Sequence, residues 1–320
     1  MLKKVRKIVV YVLCLLVVGG NRSIVYAQNQ EETTYQVYDM ETGSVQTCFF
    51  ADVPSCDQDS VEGYFPNGIE TIESGNDGIS LMAVVGTDNR TVVSNTAIGP
   101  YCNTVFITAS YNNGKTYRGS GFMIGPNAVC TAAHVVYSAA DGGYPTSVTV
   151  VPAKNGTSEP YGSETISASA NNLVVSSNYI SNNGPDHDWA IVKLSSNLGN
   201  LTGWLGLKWQ TASYNSTYVY NTGYPTVVNG IDVSSAHQMY VGTGVIMQSN
   251  TYTLKGTWDA SGGNSGGPVF ANYSGSGYTA IGILTSGSND STFGNHYPDA
   301  YSTATRITKQ LYDLMVSYRE

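Results

Sequence analysis

The chain has 320 residues, of which 41% are hydrophobic and only 12% charged, with 35 Gly and 24 Tyr. This length is enough for one large or two modest hydrophobic cores, and the composition is typical of extracellular, β-rich proteins because Thr, Val and Tyr suit strands whereas Gly and Asn suit turns. Residues 83–320 carry ten Lys/Arg and twelve Asp/Glu, so this nearly neutral body excludes nucleic-acid binding through a basic surface.

The N-terminus has the pattern of a secretory signal peptide. Four Lys or Arg residues between positions 3 and 7 precede an apolar run over residues 8–18, and Ala27 offers a small residue for cleavage. The apolar run is too short for a bilayer-spanning helix, which takes about 20 residues. We therefore expect residues 1–27 to be removed on export, leaving a secreted protein with no membrane attachment.

Residues 28–82 are strongly acidic, with eleven Asp/Glu and no Lys or Arg. The change in charge near residue 82 predicts a propeptide over residues 28–82 and a separate domain over residues 83–320. A solvated, partly disordered N-terminal arm would show the same charge excess, and it stays open as the alternative.

From residue 84 onward, short alternating or apolar runs are separated by Gly, Asn, Ser or Pro. Many short strands with closely spaced turn signals favour a β-sandwich or β-barrels, and the lack of alternating strands and long helices argues against a doubly wound α/β fold. One helix is predicted, over about residues 305–319. An apolar stripe at helical spacing indicates it, formed by Ile307, Leu311, Leu314, Met315 and Tyr318.

Three local patterns carry residues suited to nucleophilic catalysis. Small residues before His134 let the chain turn tightly, Asp188 directly precedes the apolar run 189–194, and Ser265 stands among glycines in residues 262–268. Each pattern alone is commonly structural: a packed histidine, a turn aspartate or a Gly/Ser loop. Together and in this order they predict a triad in which His134 deprotonates the Ser265 hydroxyl while Asp188 orients the imidazole.

The glycines around Ser265 also predict an oxyanion hole. They permit backbone angles that direct the N–H groups of Gly263 and Ser265 toward one point, where both would stabilise a tetrahedral intermediate. Residues 263–267 also satisfy the G-x-S-x-G pattern of α/β-hydrolases, but the strand–helix alternation of that fold is missing. A secreted esterase with the same triad stays open. A non-catalytic binding module also stays open, but it ranks well below a peptidase because no member of the triad is missing.

The segments TAAH, DWAIVKL and GGNSGGPVF resemble the signature blocks of chymotrypsin-like serine proteases. Five further segments resemble the glutamyl endopeptidase branch of Gram-positive bacteria: VVGTDNRT, MIGP, KNGTS, TGYP and ATRITK. The resemblance covers about residues 83–319 and implies an all-β fold with two six-stranded antiparallel β-barrels, at about residues 95–197 and 205–304, followed by the C-terminal helix. It further implies an extracellular serine endopeptidase that acts on polypeptides without a cofactor or metal, and we expect a monomer.

The sequence departs from that branch around the substrate pocket. Leu284 replaces a histidine that helps to bind the substrate glutamate, and Ala260 replaces a threonine. Because burying a carboxylate without polar partners is costly, an apolar or small P1 residue competes with glutamate. The residues expected to form the S1 pocket are Asp259, Ala260, Leu284, Thr285, Ser286 and Gly287. Asn264, not Asp, precedes the nucleophile, so the ion pair with a freed α-amine that orders the oxyanion loop in related zymogens is not expected.

The cysteines fit an exported chain. Cys48 and Cys56 lie in the acidic segment, and Cys102 and Cys130 lie in the body, whereas Cys14 leaves with the signal peptide. Disulfides persist in oxidising compartments, so one bridge per segment is the simplest pairing among three possible connectivities. No Cys-x-x-Cys spacing occurs, so nothing indicates a zinc or redox site.

Overall fold

Two nine-stranded β-sheets, one two-stranded sheet and four short α-helices make up the regular structure in the described part of the chain. The computed structural model describes residues 31–72, 88–167, 172–286 and 301–319. The expected signal peptide and the expected junction at residues 82–83 lie outside these ranges. Within the ranges, no helix is long and apolar enough to cross a membrane.

The strands and helices are short and follow one another closely. The strands are β1 (Thr34–Tyr38), β2 (Val45–Phe49), β3 (Ser60–Val61), β4 (Thr91–Val92), β5 (Thr104–Ser110), β6 (Thr116–Gly125), β7 (Ala128–Thr131), β8 (Ser147–Pro152), β9 (Glu164–Ile166), β10 (Leu173–Ser176), β11 (Ala190–Lys193), β12 (Gly206–Lys208), β13 (Tyr218–Gly223), β14 (Val227–Val228), β15 (Ile231–Asp232), β16 (Tyr240–Ser249), β17 (Thr253–Gly256), β18 (Pro268–Tyr273), β19 (Gly277–Ser286) and β20 (Ser302–Arg306). The helices are α1 (Ala133–Val136), α2 (Ser177–Asn182), α3 (Gly199–Thr202) and α4 (Lys309–Ser317).

Six strands of the second sheet close into a barrel. Strands β18, β13, β16, β17, β20 and β19 are neighbours in that order, and β18 also pairs with β19 to complete the circle. The short strands β12 and β3 extend the sheet beyond β19, and β4 pairs with β16. An apolar cluster that includes the fully buried Val219, Ile246, Leu254 and Trp258 belongs to this barrel.

Nine strands form the first sheet, in the order β2, β1, β10, β11, β7, β6, β5, β8 and β9. Seven of them come from the body, and β1 and β2 come from the acidic segment. Strand β1 pairs antiparallel with β10, with Tyr35 opposite Ser176 and Tyr38 opposite Leu173. The sheet therefore exceeds the six strands expected for this barrel, because the body contributes seven strands and the acidic segment adds two more by hydrogen-bonding to the free edge of β10.

The acidic segment is built into the fold. Val37, Met40 and Phe50 are buried in the same apolar core as the strands of the first sheet, and β3 pairs with β12 of the second sheet. Residues 32–320 form one compact unit. A solvated arm therefore does not describe residues 32–72, since they bury apolar side chains and complete two sheet edges.

The C-terminal helix exists but begins later than predicted. It was expected from about residue 305, whereas α4 begins at Lys309, because Thr305 and Arg306 continue strand β20 against β19. The Thr308 hydroxyl accepts the N–H of Leu311 and caps the helix. The apolar stripe was predicted correctly as a packing face, with at most 3% exposure for Ile307, Leu311, Leu314 and Met315.

The four described cysteines are free thiols, so the expected disulfides are absent. The Cys102 thiol donates to the carbonyl of Thr202 at 2.9 Å, whereas Cys130 is fully buried within β7. Cys48 lies on β2, and the Cys56 thiol faces helix α4. Pairing Cys48 with Cys56 and Cys102 with Cys130 is therefore wrong for this structure, because each thiol is held by a different element.

Candidate active site

His134 lies in the short helix α1, directly after strand β7 of the first sheet. Strand β7 ends at Thr131, and the short helix α1 begins at Ala133. The chain turns on two small, fully buried residues, Ala132 and Ala133. The imidazole that follows keeps 34% of its side chain exposed, so a fixed backbone presents a ring that solvent or a substrate can reach.

Asp188 contacts His134 at two points. Its side chain is only 6% exposed and follows the turn Pro185–His187. Asp188 Oδ1 accepts the backbone N–H of His134 at 3.0 Å, and Oδ2 lies 2.6 Å from the ring Nδ1. The Thr305 hydroxyl donates to the Asp188 carbonyl at 3.2 Å and ties this turn to the second barrel. When Nδ1 donates to the carboxylate, the free lone pair of the imidazole is on Nε2.

The pKa of His134 is raised above its ordinary value of 6.5. Burial alone would lower this pKa, because a desolvated imidazolium loses hydration. The charge of Asp188 and its hydrogen bond act in the opposite direction and outweigh burial. The site therefore stabilises the imidazolium, which is the species formed when the ring accepts a proton.

The peptide groups that carry the Gly263 and Ser265 N–H are held in place because the carbonyl oxygen of each accepts a hydrogen bond. The carbonyls of Gly262 and Asn264 accept N–H groups at 2.7 and 3.0 Å. In a trans peptide the N–H points away from the carbonyl, so the N–H groups of Gly263 and Ser265 each point away from the hydrogen bond that the carbonyl of the same peptide accepts. Neither N–H has an acceptor among the described residues, and both are available to an oxyanion.

Two glycines of this turn have backbone angles that favour glycine. Gly263 has φ +87° and Gly266 has φ +86°, in the left-handed region. A Cβ on Gly266 would lie 2.1 Å from the Ser120 carbonyl oxygen and 2.2 Å from the Thr131 hydroxyl. The absence of a side chain thus lets the turn pack directly against strands β6 and β7.

Ser120 joins the turn of Ser265 to strand β7. It is fully buried on β6. Its N–H donates to the Ser265 carbonyl, its hydroxyl donates to the Gly263 carbonyl, and its own carbonyl accepts the Thr131 hydroxyl, each at 2.7 Å. The one sequence signal for this role is the pair of glycines that flank Ser120 in an apolar strand, since glycine in a strand permits a close approach of another segment.

Glu32 supports the turn that carries Asp188, and no sequence signal marks it. It belongs to the acidic segment, yet it is only 3% exposed. Four groups surround its carboxylate: Trp189 Nε1 at 3.0 Å, the backbone N of Asn178 at 3.2 Å, His187 Nδ1 at 3.2 Å and the hydroxyl of Ser176. His187 and Trp189 are the immediate neighbours of Asp188, so their contacts with the Glu32 carboxylate stabilise the turn that carries Asp188.

Ala260 and Leu284, both expected in the S1 pocket, are buried in the same apolar core. Each is 1% exposed, and both lie in the apolar cluster of the second barrel. The backbone of Leu284 is hydrogen-bonded to the turn that carries Ser265, accepting the Gly266 N–H at 2.7 Å and donating to the Gly267 carbonyl at 2.9 Å. Both side chains are therefore part of an apolar core, and the chain at Leu284 directly adjoins the Ser265 turn.

Three of the other expected pocket residues have described surroundings. Asp259 Oδ2 accepts the backbone N–H of Asn89 at 2.8 Å. Thr285 is buried and donates to the Thr303 carbonyl at 3.1 Å, whereas Ser286 is exposed. Gly287 lies outside the described residues.

Sequence comparison relates the chain to proteases. The trypsin family model matches residues 94–311. The chain is 33% identical over 244 residues to a glutamyl endopeptidase of Bacillus licheniformis, covering 75% of this chain and 70% of the relative. It is also 33% identical over 233 residues to a Bacillus subtilis protein named extracellular metalloprotease, covering 72% and 68%. In the described ranges, no group of three or more His, Cys, Asp or Glu side chains is placed to hold a metal ion.

Solved structures share the fold. The structure of Glu endopeptidase in complex with MPD has a TM-score of 0.60 at 22% identity, covering 74% of this chain and 99% of that one. The protease Anisep from Arthrobacter nicotinovorans has a TM-score of 0.53 at 21% identity, covering 71% and 99%. These likenesses confirm the predicted all-β, chymotrypsin-like architecture. With the family match and the relative at 33% identity, the chain belongs to the trypsin family of chymotrypsin-like serine endopeptidases.

Proposed function

We propose that this protease is a secreted endopeptidase in which Ser265 is the nucleophile, His134 the general base and Asp188 the carboxylate that orients the base. The observation that carries the proposal is the two-point contact of Asp188 with His134, at 3.0 Å to the backbone N and 2.6 Å to Nδ1. This contact selects the tautomer whose Nε2 accepts a proton. The Ser120 hydrogen bonds support the assignment, because they join the Ser265 turn to the strand that leads to His134.

In the proposed reaction, Nε2 of His134 takes the hydroxyl proton of Ser265 while Oγ bonds to the scissile carbonyl carbon. The N–H groups of Gly263 and Ser265 bind the resulting oxyanion, and Asp188 stabilises the imidazolium. Transfer of the proton from His134 to the leaving amine breaks the peptide bond and leaves an acyl-enzyme. A water molecule, deprotonated by the same imidazole, then hydrolyses the ester and frees Ser265.

Labelling with a fluorophosphonate tests these roles. We expect the wild-type protein to react at Ser265 and Ser265→Ala to remain unlabelled and inactive on denatured protein substrates. The matched control is Ser274→Ala, which changes an exposed serine on the turn after β18 and is expected to label at the wild-type rate. Labelling that persists in Ser265→Ala would contradict the assignment of the nucleophile.

We propose a P1 preference for apolar or small residues. The Bacillus licheniformis relative is a glutamyl endopeptidase, but Leu284 and Ala260 stand where that branch has polar residues. Both side chains lie in an apolar cluster. Without polar partners a buried substrate carboxylate is costly. Mass spectrometry of a digested peptide library gives the preference directly, and cleavage mainly after Glu would refute this proposal.

We propose that the chain is made as a preproenzyme, with a signal peptide at residues 1–27, a propeptide at residues 28–82 and the protease at residues 83–320. The charge step near residue 82 supports this division, and the Bacillus subtilis relative is named as extracellular. The mature enzyme would be an extracellular monomer of a Gram-positive bacterium that cleaves polypeptides. No Lys or Arg lies between Arg22 and Arg90, so tryptic cleavage cannot release it. N-terminal sequencing of secreted, fully active protein tests the division, and a start at Gln28 would contradict it.

A further inference from the structure

A buried arginine contacts the nucleophile turn and has no part in the proposed proton transfers. The side chain of Arg90 is 4% exposed. Its guanidinium has five N–H donors, and each has an acceptor. The acceptors are the Asp88 carboxylate at 2.8 and 2.5 Å, the Val227 carbonyl at 2.8 Å, the Ser261 hydroxyl at 2.9 Å and Asn264 Oδ1 at 2.8 Å.

Two of these acceptors belong to the turn that forms the candidate oxyanion hole. Ser261 and Asn264 also bind each other, since the Asn264 N–H donates to the Ser261 carbonyl at 3.1 Å and the Ser261 N–H donates to Asn264 Oδ1 at 3.3 Å. Gly263 lies between them and Ser265 follows directly. By binding Ser261 and Asn264, the guanidinium helps to fix the positions of the Gly263 and Ser265 N–H groups, the two candidate oxyanion donors.

Asp88 balances the charge of the buried guanidinium. Burial alone would raise the pKa of Asp88, but hydrogen bonds from Arg90 and from the Asn229 N–H lower it below its ordinary value. Asp88 therefore stays ionised beside Arg90. An arginine also keeps its charge at alkaline pH, whereas an α-amine loses its proton near about pH 8.

We propose that Arg90 is the positioning residue of the oxyanion hole, in place of the freed α-amine that pairs with an aspartate in related zymogens. Asn264 stands at the position of that aspartate, and its neutral amide accepts from a side chain that the chain carries before any cleavage. The inference rests on the proposed role of Ser265. Arg90 acts on geometry alone, since it transfers no proton and forms no bond with the substrate.

The test compares Arg90→Ala and Arg90→Lys with Arg319→Ala. Arg319 is a matched control, because its guanidinium donates to the carbonyls of Ile124, Glu62 and Leu205, away from the nucleophile turn. For Arg90→Ala we expect kcat to fall by about 10²–10³-fold, as when one oxyanion donor is lost, with a much smaller change in KM. Arg90→Lys keeps the charge with fewer donors and should lose less. Added ethylguanidinium should restore part of kcat to Arg90→Ala but not to Arg319→Ala.

A pH profile supplies a readout that a purely structural role would not move. We expect wild-type kcat/KM to show no decline from an amine deprotonation between about pH 8 and about pH 10. The proposal is overturned if such a decline occurs, or if folded Arg90→Ala and Arg319→Ala have the same kcat. Should Arg90→Ala fail to fold, the comparison of Arg90→Lys with Arg319→Ala decides in the same way. A wild-type protein that does not react with fluorophosphonate would instead refute the proposed function.

Discussion

Replacing Glu32 tests whether the acidic segment stabilises the protease fold. The change Glu32→Ala removes a carboxylate that is 3% exposed and has four polar neighbours. Two of those neighbours, Trp189 Nε1 and the Asn178 N–H, are obligate donors. Each buried donor left without a partner costs about 1–3 kcal/mol. For the two donors together we therefore expect the free energy of unfolding to fall by about 2–6 kcal/mol, with Glu32→Gln intermediate because its amide retains one acceptor.

Urea unfolding followed by tryptophan fluorescence measures this loss. All variants carry Ser265→Ala so that self-digestion does not distort the transition. Glu41→Ala is the matched control, since Glu41 is an exposed acid of the same segment, and we expect its effect to stay within about 0.5 kcal/mol. If Glu32→Ala is no less stable than Glu41→Ala, the buried carboxylate does not support the Asp188 turn and the reasoning is refuted.

Three further outcomes are expected. Activity requires the neutral imidazole, and Asp188 raises the pKa of His134, so kcat/KM should fall as the pH drops through a value above 6.5. Asp188→Asn should move this decline to lower pH. The stability that the His134–Asp188 pair contributes is complete below pH 6.5 and is lost as the pH rises through the raised pKa. A decline that Asp188→Asn leaves in place would contradict this. Gly266→Ala forces a Cβ to within 2.1 Å of a backbone oxygen, so displacing the turn should lower kcat by about 10²-fold or more. Gly275→Ala, with φ +96° but nothing within 4 Å, should keep activity within about twofold; equal activities would count against the close packing of the turn. If the chain is cut at the proposed junction, residues 32–72 should stay bound to the protease through strands β1 and β3. The two pieces should then co-elute in size-exclusion chromatography. Their separation in native buffer would show that these strand pairings are too weak to hold the segment.

The candidate triad could be predicted because each member lies in a distinctive local context. Small residues precede His134, an apolar strand follows Asp188, and glycines flank Ser265. The strands were predicted for the same reason, since alternation and turn residues are local properties. The start of α4 was predicted too early, because Thr305 and Arg306 have partners in β19 that the helical periodicity of the segment does not reveal.

The residues that hold the candidate site could not be found in this way, because their partners are distant in the sequence. Glu32 contacts Trp189, 157 residues away, and Arg90 contacts Asn264, 174 residues away. The charge of the acidic segment gave no sign of this contact either, because eleven acids suggest solvation, whereas Glu32 is buried among those that the structure describes. Composition describes the average charge of a segment, whereas burial in the folded protein differs from one side chain to the next.

If the chain is cleaved near residue 82, Arg90 stays in the same polypeptide as the site, whereas Glu32 belongs to the piece that is cut off. Arg90 lies after the proposed junction, so the nucleophile turn keeps its guanidinium in the body of the enzyme. Glu32 lies before the junction, so the turn of Asp188 keeps its carboxylate only while the acidic segment stays bound. Loss of the segment should therefore loosen the contact between Asp188 and His134 and leave the proposed oxyanion hole intact. The general base, and not the oxyanion hole, is then the part of the site that would respond to removal of the acidic segment.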